Sequence, residues 1–107
     1  MDITKTKKFE KEFVKLLKSY PSLEKDLDIL IKTIYANPTG DGSKNWNILK
    51  TDSVRYVLKT RMMCRSVRGK SFRVIYFYNK NEISFEFIEI YFKGKKVVED
   101  KKRINDV

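Results

Sequence analysis

The sequence predicts an α+β domain: an N-terminal antiparallel helical hairpin packed on a three- to four-stranded antiparallel sheet. Three observations carry this. Apolar residues recur at helical spacing through the first third of the chain. An Asn-Pro-Thr-Gly-Asp-Gly stretch at residues 37–42 then breaks the pattern. The period finally falls from 3.6 to two near Val54. With 107 residues, 41% of them apolar, the chain reads as a single domain, 1–107, with enough apolar side chains for one packed core.

The first helix follows from Phe9, Phe13, Leu16, Leu17 and Tyr20, one stripe at i, i+4, i+7, i+8 and i+11. Pro21 stops it, because the residue before a proline disfavours the helical region. Pro21 also suits the first turn of a second helix. That helix carries Leu23, Leu27, Leu30, Ile31, Ile34 and Tyr35. The breaker is followed by a loop holding Trp46, which is expected to serve the core. From Val54, one strand face carries Val54, Tyr56, Leu58, Thr60, Met62 and Cys64. The other carries Arg55, Val57, Lys59, Arg61, Met63 and Arg65. Ser66–Lys70 reads as a turn, Ser71–Tyr78 as a second strand, Asn79–Glu82 as a hairpin turn and Ile83–Phe92 as a third strand. A short final helix within 97–106 and a further strand at 2–6 complete the reading. Cys64 falls on the apolar face and is expected to be buried and inert.

Charge narrows the function. Lysine and arginine number 24 against 14 acids, a net charge of +10. Residues 44–73 hold nine of the basic residues and one acid, Asp52. Such clustering points to an anionic partner, since neutralising a phosphate backbone needs many cations on one face. Cations along one strand face stand about 6–7 Å apart, and a sheet would not bury four of them together. The basic face is therefore expected to stay open, with Arg73 and Lys93 converging on it. Histidine is absent, which excludes a Ser-His-Asp triad and a Cys2His2 zinc finger. One cysteine excludes an internal disulfide, and no cofactor is expected. No apolar run reaches the ~18 residues of a membrane span, and the N-terminus lacks a signal peptide's apolar region. A cytoplasmic protein without a membrane partner is the expectation.

Several segments taken together resemble the RelE/ParE superfamily of type II toxins, over nearly the whole chain. Phe9-Glu10-Lys11-Glu12-Phe13 and Tyr20-Pro21-Ser22-Leu23-Glu24-Lys25-Asp26-Leu27 are similar to that family's helical hairpin. Lys59-x-Arg61, Gly69-Lys70-Ser71-Phe72-Arg73-Val74-Ile75-Tyr76 and Ile90-Tyr91-x-Lys93 are similar to its strands. The usual double glycine before the aromatic-Arg pair is absent. Lys93 stands where some family nucleases place a histidine.

The resemblance implies a metal-independent endonuclease acting on mRNA in the ribosome and neutralised by a cognate antitoxin. It implies catalytic roles for Lys59, Arg61, Arg73 and Lys93, and RNA contacts from Arg55, Arg65, Arg68, Lys70 and Tyr91. In that scheme Lys59 is the base for the 2′-OH. The role needs a pKa well below the lysine reference of ~10.4, which neighbouring cations favour. Arg73 clamps the phosphate with its planar fork, Lys93 is the acid, and Tyr91 stacks on a base. Blander roles stand beside these: Arg73 pairing with Glu86 or Glu89, and Tyr91 as a rim or core aromatic. A gyrase-inhibiting toxin on the same fold and a catalytically silent RNA-binding module are the alternatives at the level of function. The faint likeness of Arg68–Phe72 to an RNA-recognition strand is rejected, because two helices precede the strands.

Overall fold

A computed structural model describes residues 2–67, 71–96 and 98–107. The elements run β1 (Asp2–Lys5), α1 (Lys7–Ser19), α2 (Leu23–Ala36), β2 (Trp46–Thr51), β3 (Arg55–Met63), β4 (Ser71–Asn79), β5 (Ser84–Phe92) and α3 (Lys101–Asn105). The five strands form one sheet in the order β1-β5-β4-β3-β2. β1 lies parallel to β5 and every other pairing is antiparallel. The sheet is thus five-stranded and mixed, where the sequence suggested three or four antiparallel strands.

Both early helices end where the sequence places them, but α2 starts at Leu23 with Ser22 as its N-cap, so Pro21 lies in the turn before the helix and not in its first turn. Thr6 Oγ1 caps α1 by accepting the Phe9 N–H at 3.1 Å, satisfying a donor that the first turn leaves over. The Tyr20-Pro21 step ends α1, and Asn37 ends α2. Phe9, Leu23, Leu27, Leu30 and Ile34 bury their stripes against Leu58, Val74, Phe87 and Ile90 on one sheet face. Phe9 stacks on Phe87 with ring centroids 5.4 Å apart. α1 owes its place to β5 more than to α2, so the pair sits as two helices on a sheet rather than as a self-contained hairpin.

The sequence places β2 in a loop, and the reason is visible. It is an edge strand whose Asn47, Ile48, Lys50 and Thr51 are all exposed, so no alternation marks it. Trp46 starts it. The indole Nε1 donates to Tyr76 Oη at 3.2 Å, and that hydroxyl donates to the Pro38 carbonyl at 2.8 Å. Gly40 closes the loop with φ 88°, and a Cβ there would lie 2.7 Å from the indole. Only glycine satisfies both demands.

The second sheet face is not wholly open, contrary to expectation. A β-bulge between Ile75 and Tyr76 in the β4–β5 pairing leaves Ile88 as the extra residue of β5. Phe85 and Phe87 therefore face the helices, Ile88 joins the other face, and Ile90 returns to the helices. Ile88, Val57 and Ile75 form a second small core, closed by Ile104 of α3. Asp100 caps α3, its carboxylate accepting the Lys102 N–H at 3.1 Å. The chain end thus covers part of the face that the sequence left to solvent.

Candidate nucleic-acid interface

The register brings the cations together. Arg61 on β3 stands directly opposite Arg73 on β4, and Arg73 opposite Tyr91 on β5. One row along the same face, Asn47, Lys59, Ile75 and Glu89 are aligned across four strands. Lys93 follows just past β5, its N–H donating to the Ser71 carbonyl at 3.3 Å. The outcome is a depression of about 190 Å³ walled by Lys44, Asn45, Asn47, Lys59, Arg61, Arg73 and Lys93. All four residues singled out as catalytic candidates line it. Lys44, Asn45 and Asn47 complete its wall; Asn47 escaped the sequence reading because β2 did, and Asn45 stands just before that strand.

Arg73 pairs with neither Glu86 nor Glu89. Glu89 is fully buried and already engaged by the Lys96 ammonium and by the Asp100 N–H, the latter at 2.8 Å. The Arg73 guanidinium instead donates to Ser71 Oγ and the Phe72 carbonyl. Partial burial and the facing Arg61 pull its pKa below the ordinary arginine value. Two arginines directly opposed on a sheet repel each other. A site that waits for an anion explains their juxtaposition.

Lys59 is not surrounded by cations alone. Its Nζ lies 2.6 Å from Glu99 Oε1, with the two side chains 19% and 8% exposed. Burial raises the Glu99 pKa, but the Lys59 hydrogen bond, its own backbone contact and the charges of Lys59 and Lys101 outweigh that and leave it low. A carboxylate lowered on folding adds stability that is present above 4.5, its ordinary value, and lost as the pH falls below it. Thermal unfolding should therefore move to lower temperature on acidification below that point. Glu99→Gln should lower the melting temperature at pH 7 and flatten this acid dependence, as read by melting curves across pH.

Other expected RNA contacts are placed differently. Arg55 pairs with Asp52 at 2.7 Å, roughly 20 Å along β3 from Arg61. Arg65 lies past the end of β3 and turns to Asp26 of α2 at 3.3 Å. Tyr91 is 4% exposed, and the Lys96 ammonium sits 5.4 Å from its ring centroid. No base can stack on it in this conformation. Burial first, then the charges of Glu99 and Glu89, push its phenol up to about 12, and its hydroxyl has no hydrogen-bond partner among the described residues. Arg68 and Lys70 lie outside the described residues. Cys64 is buried, as expected, with its sulfur 3.4 Å from Ser22 Oγ. Among the described residues no trio of His, Cys, Asp or Glu is grouped to hold a metal, and no helix is long and apolar enough to cross a membrane.

The α+β architecture, with its arginine-lysine depression on one sheet face, is similar in fold to a RelE chain. A chain of the crystal structure of the archaeal RelE–RelB complex from Pyrococcus horikoshii OT3 matches it with a TM-score of 0.60. The match covers 89% of this chain and 97% of that one at 17% identity, a likeness of fold. No family model and no curated protein matches the sequence.

Proposed function

We propose that this chain is the toxin component of a type II toxin–antitoxin pair, a ribosome-dependent endonuclease that cuts mRNA without a metal. The observation that carries the proposal is the convergence of Lys59, Arg61, Arg73 and Lys93 on one polar depression. Those residues suit transphosphorylation. The 2′-oxygen attacks the adjacent phosphorus, forming the O2′–P bond as the P–O5′ bond breaks. The products are a 2′,3′-cyclic phosphate and a 5′-hydroxyl. Arg73, supported by Arg61, clamps the phosphate and stabilises the charge that builds on the phosphorane. Lys59 takes the 2′-OH proton and Lys93 donates one to the leaving 5′-oxygen. The structural neighbour is named as a RelE–RelB complex, which supports a cognate antitoxin as partner. The outer edge of β2, where Ile48 is 51% exposed, is one place where such a protein can add a strand.

In vitro translation tests the proposal. The nuclease truncates messages within codons. Intact messages together with poisoned gyrase would instead identify a gyrase inhibitor, and RNA binding without truncation a silent binding module. Binding has its own signature. Lys44 lines the depression but has no role in the chemistry, so Lys44→Ala should weaken RNA binding modestly. It should also reduce the slope of log affinity against log salt by about one. Titrations at four salt concentrations read this directly.

A further inference from the structure

Lys59 is a base only after losing its own proton, and the chain end supplies the means. We propose that Glu99 is the terminal proton acceptor of this site, acting through Lys59; the inference rests on the nuclease reading above. Three observations support it. Among the described residues, Glu99 is the acid within hydrogen-bond reach of Lys59, at 2.6 Å. Among the described residues, the depression itself is walled by cations and amides without a carboxylate. Glu99 is also held in place. Next to it, the Asp100 N–H is bound by the buried Glu89, and Ile104 is seated in the second core. Arg103 reaches Glu12 of α1 at 2.6 Å and the Ile88 carbonyl at 3.1 Å. A carboxylate anchored this way stays in place as RNA binds.

The step balances within the pair. As O2′ attacks phosphorus, its proton moves to Lys59 Nζ. A proton already on Nζ moves to Glu99 Oε1. The lysine ends as it began, an ammonium, and the carboxylate ends as a carboxylic acid. An incoming phosphodiester helps, because its negative charge beside the pair disfavours the carboxylate form. The groups facing Glu99 are Lys59 from β3, Tyr91 from β5 and Lys101 from α3. Of these only Lys59 hydrogen-bonds to it.

The test is single-turnover cleavage of ribosome-bound message by the full chain, run from pH 4 to 9 beside binding measurements and melting curves. Glu99→Gln should cut roughly 10²–10⁴-fold more slowly, the range of general-base catalysis, with RNA affinity unchanged or tighter. The acid limb of the wild-type pH–rate profile should disappear in this variant. Glu99→Asp keeps the carboxylate and should restore part of the rate, which guards against a loss of folding in the glutamine variant. In a Lys59→Ala background, Glu99→Gln should cause no further loss. Wild-type cleavage by Glu99→Gln overturns the inference and leaves the nuclease reading intact. So does a further loss in the Lys59→Ala background, or a loss of binding that matches the loss of cleavage. A wild-type chain that cuts nothing overturns both.

Discussion

Arg73→Ala is expected to slow single-turnover RNA cleavage by about 10²–10³-fold, the cost of removing one donor to a charge that develops in the transition state. Ribosome binding should fall far less, because the phosphorane is present only transiently. Stability should hardly change. Among the described residues the guanidinium bonds only to Ser71 and the Phe72 carbonyl, and it faces Arg61, so its removal relieves a repulsion. Arg73→Lys should recover only part of the rate, since an ammonium lacks the planar two-point fork. Wild-type cleavage by Arg73→Ala would remove it from the site. A melting temperature lowered by many degrees would assign it a structural role instead. Lys59→Ala should behave differently, because it strands the buried Glu99 carboxylate and so lowers stability as well as rate.

The second large effect concerns the fold. Phe87 is fully buried at the meeting of β5 and α1, stacked on Phe9 and set edge-on to Tyr76 at 6.3 Å. Phe87→Ala should cost about 3–5 kcal/mol through lost burial and the cavity left behind. For a domain of this size that lowers the melting temperature by more than about 10 °C. Calorimetry of the variant beside wild type checks it. A shift of only a few degrees would mean that the helices close over the gap, and that α1 is held less rigidly than its stacking implies.

Helix-forming stripes and the apolar side of β3 were legible because each meets one environment, the core between helices and sheet. The opposite side of β3 is mixed: Val57 is buried in the second core while Arg55 and Arg61 stay exposed. β2 was not legible, since an exposed edge strand carries no alternation. The bulge at Ile88 was also hidden: in Phe-Glu-Phe-Ile-Glu-Ile it shifts the face of every later residue by one. The cover over the basic face was missed for a related reason. Ile104 is one apolar residue in a short charged run, Lys101-Lys102-Arg103-Ile104-Asn105, and nothing local says what it packs on. The convergence of Lys59, Arg61, Arg73 and Lys93 followed from strand order, and it appears in the structure through register alone. Glu99 could not be found that way. Its place beside Lys59 depends on tertiary packing 40 residues distant in sequence.

The most direct measurement places one 2′-deoxynucleotide at the cut position of an otherwise all-ribose message. The message is bound to the ribosome and mixed with excess wild-type protein. If the depression on the sheet catalyses attack by the 2′-OH, the all-ribose message yields a 2′,3′-cyclic phosphate and a 5′-hydroxyl. The substituted message then survives at that position. Equal cleavage of both messages, or cleavage of neither, would contradict it.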